Sequence, residues 1–185
     1  MKDEYAIVLD FLESGYSDLR TSVPTAIVIG VQNFTLLEVS VKEDIILEQE
    51  DKVYIGEKNR DKIKSIKQRL TVDDLTGTAR SELEHIIKKI IEENEKKYIN
   101  FFNTSEPVST RQHQIELLPG IGKKHMWEII GERRKRPFES FKDLQERVKL
   151  LPDPKKAIVK KIIEELEQTN KFYLFTKPPK ETTPY

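Results

Sequence analysis

A chain of 185 residues has room for one or two small domains, and 37% hydrophobic against 35% charged residues suits a soluble protein with modest cores. No apolar run approaches the roughly 20 residues a membrane helix needs, and the start Met1-Lys2-Asp3-Glu4 enters a strand-like run at once, so neither a membrane segment nor a signal peptide is expected. The lack of any cysteine excludes disulfides, zinc ribbons and thiol catalysis and fits a reducing cytoplasm.

The first 70 residues predict strands. Tyr5 to Leu9 is apolar and β-capable, and the polar stretch Ser14-Gly15-Tyr16-Ser17-Asp18 predicts a turn. Thr25 to Val31 and Phe34 to Val41 follow, separated only by Gln32-Asn33, which predicts a two-residue hairpin. Lys52 to Gly56 alternates, with Val53 and Ile55 inward and Lys52 and Tyr54 outward. Lys62 to Leu70 is a fifth candidate whose Ile63/Ile66 spacing fits a strand imperfectly. Five short strands predict a small closed barrel, OB-like first and SH3-like second.

Thr71-Val72-Asp73-Asp74 carries capping chemistry for a strand-to-helix break. From Thr78 to about Phe101 the spacing predicts one long helix, with Leu83, Ile86, Ile87, Ile90 and Ile91 on one face. Asn103 to Pro107 is linker-like. Ser109 or Thr110 is the expected cap of the next helix, which would carry Ile115, Leu117 and Leu118. A helix opened by Lys123 would bury Met126, Trp127, Ile129 and Ile130, and Pro137-Phe138-Glu139-Ser140-Phe141 would start another, with Ser140 as cap. The expected organisation is a barrel over residues 1–70, a connecting helix and linker over 71–105, an all-α domain over 106–171 and a tail over 172–185. Phe172 to Phe175 is too apolar to float free and should dock on the barrel or the domain junction. The remainder of the tail should be extended or disordered.

The formal net charge of zero conceals a division: residues 1–107 hold 15 Lys+Arg against 21 Asp+Glu, whereas residues 108–171 hold 15 against 10. A field that attracts a polyanion therefore belongs to the second half. There the stretch Leu117-Leu118-Pro119-Gly120-Ile121-Gly122-Lys123-Lys124 stands out. Pro119 cannot continue a helix, and Gly120 and Gly122 admit positive φ and close approach of another backbone. Ile121 can plug a small core. Lys123 and Lys124 then open a helix whose unpaired N–H groups favour an anion. Only Ile121 separates the glycines, which rules out a P-loop, and His125 stands where a dinucleotide fingerprint needs glycine or alanine. A plain turn between helices with a glycine cap accounts for one glycine but not for the second or the lysine pair.

From Leu150 a similar string recurs, Leu-Leu-Pro, then Lys155-Lys156, then Ile162-Ile163, without the glycines. Self-similarity of this kind predicts two stacked copies of one unit, the first making the main phosphate contact and the second mainly supporting it, with Lys155, Lys156, Lys160 and Lys161 as weaker contacts. The run Arg133-Arg134-Lys135-Arg136 suits both dipole compensation and backbone contact. His85, His113 and His125 lie in separate predicted helices without metal-ligand spacing, which favours ordinary helix-surface roles, and Asp73-Asp74 before a helix suits capping better than Mg²⁺. No metal, cofactor or catalytic set is expected.

The glycine turn resembles the hairpin of the helix-hairpin-helix family. Together with Phe34-Thr35-Leu36-Leu37-Glu38-Val39, Val53-Tyr54-Ile55-Gly56 and Pro137-Phe138-Glu139-Ser140-Phe141, the chain resembles an archaeal family of uncharacterised proteins described as RNA- or nucleic-acid-binding. That resemblance implies an N-terminal OB-like barrel joined to a C-terminal tandem helix-hairpin-helix domain, and a fold of this kind leaves function to be argued from the site. The expected function is sequence-independent, non-enzymatic binding of nucleic acid, RNA before DNA. Amides of Gly120, Ile121, Gly122 and Lys123 would hold phosphates, with Lys123, Lys124, Arg133, Arg134, Arg136, Lys155 and Lys156 as counter-charge. Lys52, Tyr54 and Lys64 would face an unpaired strand. The alternative is a protein-interaction module of a ribosome- or polymerase-associated complex.

Overall fold

Strand order follows from where the apolar runs are continuous and where they alternate. The computed structural model describes residues 3–16, 23–168 and 171–178; Ser17 and Asp18 of the expected first turn, and the tail beyond residue 178, lie outside them. Five antiparallel strands, β1 (Tyr5–Leu12), β2 (Thr25–Gly30), β3 (Leu36–Val41), β4 (Lys52–Tyr54) and β5 (Ile63–Arg69), form one sheet in the order β4-β1-β2-β3-β5. Every residue of β2 and β3 is buried, as expected of central strands covered on both faces. One face supplies the core of Ala6, Val8, Val28, Val39, Val41 and Val53, and Ile27, Ile29 and Leu36 fill the other. The sheet is an antiparallel half-barrel: among the described residues β4 and β5 are its two edges and do not pair.

Two expectations for the sheet need correction. The β2–β3 connection is five residues, not two, because Phe34 is fully buried in a left-handed conformation at φ 54°. Its amide donates to the Gly30 carbonyl at 3.1 Å, and the Asp3 carboxylate accepts from the Gln32 and Asn33 amides at 2.7 and 2.8 Å. A buried core aromatic and a distant acid set this turn, and the local dipeptide does not. β5 pairs with β3 through register shifts at Glu38/Val39 and Ser40/Val41, and all of it but Ile63 is exposed, which explains its imperfect alternation.

Thr71 and Asp74 form the expected capping box on a short 3₁₀ turn, and Asp73 pairs with Arg80 at 3.3 Å. The single long helix is instead two, α1 (Gly77–Glu93) and α2 (Glu95–Thr104). The break is at Asn94, whose side-chain amide donates to the Ile90 carbonyl at 2.8 Å and competes with the helix ladder. The helix expected after Ser109 is only a 3₁₀ turn, Gln114–Leu117. The Ser109 hydroxyl closes its own turn by accepting from the Arg111 and Gln112 amides, so it caps nothing. Three helices follow: α3 (Lys123–Lys135), α4 (Phe141–Arg147), capped by Ser140, and α5 (Pro154–Leu166).

The chain divides into two units within α1, after Ile86. The first takes Met1–Ile86 together with Glu165–Thr169 and Phe175–Tyr185, and the second takes Ile87–Glu164 and Asn170–Leu174. Phe175 and Thr176 donate their amides to the Glu165 carboxylate, and the Lys177 carbonyl accepts from Arg69 of β5, so the end of the apolar tail stretch belongs to the sheet's unit. No helix among the described residues is long and apolar enough to cross a membrane.

Candidate functional site

The turn before α3 is built from one internal hydrogen bond and a plug. Ile121 donates its amide to the Leu118 carbonyl at 3.1 Å and buries its side chain. This reverses one expectation, since that amide is used inside the protein and cannot hold a phosphate. Gly120 sits at φ +83°, where an L side chain is strained. Gly122 is extended at φ −93° and caps α3, its carbonyl accepting from the Met126 amide at 3.0 Å. Among the described residues, the amides of Gly120, Gly122, Lys123 and Lys124 find no acceptor in the protein. A Cβ added at Gly120 or at Gly122 would meet nothing within 4 Å. Backbone geometry therefore requires glycine at 120, whereas nothing inside the protein requires it at 122.

Side chains around this opening sort into free and engaged cations. Lys123 and Lys124 are exposed. The basic run at the end of α3 is mostly spoken for. Arg133, expected to contact phosphate, points inward and donates to the Phe102 carbonyl, the Ser105 hydroxyl and the Ser105 carbonyl at 2.9, 3.0 and 2.9 Å. Burial, with Arg134 nearby, lowers its pKa, and its role is to tie α2 to α3. Arg136 pairs with Glu139 and Asp143, and Lys135 pairs with Glu132. Arg134 alone of the four is exposed with no partner among the described residues.

The second turn repeats the left-handed residue and the buried plug but is one residue longer before its helix, and its chemistry differs. Leu150 takes the left-handed position at φ 59° and Leu151 is the buried plug, so they stand where Gly120 and Ile121 do. The copies therefore register on the turn geometry, one Leu-Leu-Pro falling out of step with the other. Asp153 caps α5 by accepting from the amides of Lys155 and Lys156 at 2.9 and 3.3 Å. A carboxylate thus occupies the place left open at Gly122. Lys155 pairs with Glu92 at 3.2 Å, Lys156 and Lys160 are exposed, and Lys161, offered by the sequence as a contact, is buried and unreachable.

Trp127 is the residue the sequence reading misplaced. Expected in the core, it is 63% exposed. Met126, Ile129 and Ile130 form the buried face of α3, while Lys123, Trp127, Gly131 and Arg134 recur at helical spacing along an exposed stripe. The spacing was in the sequence; hydrophobicity of the residue type overrode it. His113, expected on a helix surface, is instead a buried cap that accepts from the Ile115 amide at 3.2 Å, its pKa lowered by burial and then by Arg133.

On the sheet, Lys52 and Tyr54 share a face of β4, with the Tyr54 ring edge-on to Tyr5 at 5.3 Å and the Lys52 amine over the Tyr5 ring at 5.0 Å. Lys64, grouped with them by the sequence, lies on the opposite edge strand, paired with Glu43 at 3.9 Å. Asp73 and Asp74 turn to different partners, and no group of three or more metal-ligating side chains occurs among the described residues.

An antiparallel half-barrel of five strands with five helices among the described residues defines the class of protein. The chain belongs to the family described as "Protein of unknown function (DUF655)", whose match spans residues 2–177. It is 40% identical over 177 residues to the uncharacterised protein MJ0038 of Methanocaldococcus jannaschii, covering 95% of this chain and 80% of that one. It is also similar to the crystal structure of Af1531 from Archaeoglobus fulgidus, of the same family, at 48% identity and TM-score 0.87 over 95% of this chain and all of the other.

Proposed function

We propose that this chain is a non-enzymatic nucleic-acid-binding protein that holds phosphates through the turn before α3, with little regard for base sequence. On this reading the two turns are helix-hairpin-helix hairpins, the first active and the second sealed by Asp153, and the half-barrel is OB-like. One observation carries the proposal: four main-chain amides stand open at the positive end of α3, with empty space where two glycines lack side chains. On this turn and α3, Lys123, Lys124 and Arg134 are exposed cations available to neutralise phosphate. Trp127 lies on their stripe, which favours a ligand with unpaired bases, as structured RNA offers, over a plain duplex.

The test is titration of stem-loop RNA and duplex DNA with wild type, Gly122→Val and Lys123→Glu/Lys124→Glu, each checked for folding. Each lysine that contacts phosphate should contribute roughly one to the salt slope. Unchanged affinity in the folded variants rejects the reading. A second reading, a protein-docking surface, is favoured by the exposure of both Trp127 and Leu150, the latter 90%. Partners that survive nuclease treatment in a pull-down, and are lost with Trp127→Ala, would select it.

A further inference from the structure

Gly131 lies inside α3, away from either cap, where glycine is the poorest helix former after proline. No positive φ calls for it there. The residue is exposed, and a Cβ added to it would meet no atom within 4 Å, so close packing does not call for it either. The missing side chain weakens the helix and serves nothing inside the protein. What it leaves is a clear space on the surface.

That space lies beside the exposed indole. Side chains on a helix lean towards its N-terminus, so the side chain that would cover Trp127 belongs to the residue four positions on, which is Gly131. Trp127 is 63% exposed. The next residue able to lean over the gap, Lys135, has its amine on Glu132 at 2.5 Å instead. Lys124 and Arg134, both exposed, border the same stretch of helix surface. Its nearest acids, Glu128 and Glu132, are half-buried at the edge of the stripe, and Glu132 is held by Lys135 and Arg147.

We propose that Trp127 and Gly131 form a seat for one unpaired nucleotide of a bound RNA, the base lying flat on the indole and filling the space above Gly131. The seat rests on the reading that the turn before α3 grips phosphate, and it continues that reading along the helix, from the open amides past Lys123 to the indole. An aromatic face among cations suits a base next to its own phosphate, and stacking accepts any base. A base inside a duplex cannot enter, because its faces are covered by its neighbours in the stack.

The test compares a stem-loop RNA with a blunt duplex of the same stem by fluorescence anisotropy, using wild type and Gly131→Leu. Wild type should prefer the stem-loop by roughly 5- to 150-fold, the worth of one base stacked on an aromatic ring. Leucine fills the space with a good helix former, so Gly131→Leu should fold with a Tm no lower than wild type and lose that preference, the two affinities becoming equal. Gly131→Ala should raise Tm by about 2–4 °C; a fall shows that the fold needs the glycine and overturns the inference. A wild type that binds both RNAs alike, or a Gly131→Leu protein that keeps the preference, also overturns it. Either result leaves the phosphate grip standing if duplex affinity still falls in Lys123→Glu/Lys124→Glu. Unchanged affinity for both RNAs in that double variant rejects the grip, and the seat with it.

Discussion

Replacing Gly122 by alanine separates what the fold needs from what a ligand needs. The residue is extended at φ −93° and ψ −178°, a region open to alanine, and the added methyl meets no atom within 4 Å. Alanine restricts the unfolded chain, which stabilises by about 0.4–1 kcal/mol, while it is a poorer helix cap than glycine by a similar amount. The two nearly cancel, so stability should change by less than about 0.5 kcal/mol and Tm by less than about 2 °C. Gly120→Ala is the internal contrast. At φ +83° alanine costs about 1–2 kcal/mol, which lowers Tm by roughly 2–8 °C. Binding should respond in the opposite order. A methyl in front of the open amides displaces a phosphate from at least one charge-assisted hydrogen bond, worth about 1.5–3 kcal/mol, or roughly 10- to 150-fold in affinity. Fluorescence anisotropy with a labelled RNA stem-loop, alongside thermal unfolding, measures both. A Gly122→Ala protein that binds like wild type refutes the phosphate grip. One whose Tm falls by more than about 5 °C shows that the fold itself needs that glycine.

Adjacent arginines in α3 should behave differently. Arg133→Ala removes three hydrogen bonds from a half-buried guanidinium and should cost about 2 kcal/mol by denaturant unfolding, whereas Arg134→Ala should leave stability unchanged and lower the salt slope of RNA binding by about one. The pKa of His113 lies below its ordinary value of 6.5 in the folded protein, so the unfolded chain protonates first as pH falls. Its contribution to stability is full above pH 6.5, is lost as pH falls through the folded-state pKa, and shows as a sloping Tm that His113→Asn should flatten while keeping an acceptor for Ile115. Trp127, the sole tryptophan, should emit as a solvent-exposed indole and be quenched by acrylamide. Protection by stem-loop RNA, lost in Lys123→Glu/Lys124→Glu, is the expected result.

Local signals identified the elements whose determinants are local. Continuous apolar runs marked β2 and β3, and Thr71 with Asp74, like Ser140, marked helix starts that the structure keeps. What failed depended on distant partners. The dipeptide Gln32-Asn33 reads as a tight turn, but Phe34 goes to the core and Asp3 binds the two amides from 29 and 30 residues away. Asn94 breaks a helix whose apolar spacing continues through it, because one side-chain bond to Ile90 competes with the backbone ladder.

The site was half legible for a related reason. The glycine turn announces its own geometry, since φ +83° at Gly120 and the plug at Ile121 follow from residue type and order. Availability of the charges does not. Four consecutive basic residues look equivalent in sequence, yet Arg133 is drawn to Phe102 and Ser105 and Arg136 to Glu139 and Asp143, which leaves Arg134. The comparison that matters is between the two turns. Both place a left-handed residue and then a buried plug ahead of a helix, though Pro152 makes the second turn one residue longer. One ends in Gly122 and leaves amides open, while the other ends in Asp153 and closes them with its own carboxylate. Asp153→Gly costs α5 only a few tenths of a kcal/mol as a cap change and removes a charge that repels phosphate. If open amides beside lysines are sufficient for the grip, that single change should raise RNA affinity and steepen its salt dependence. A variant that folds but gains neither would show that the turn geometry needs Lys123, Lys124 and Trp127 around it.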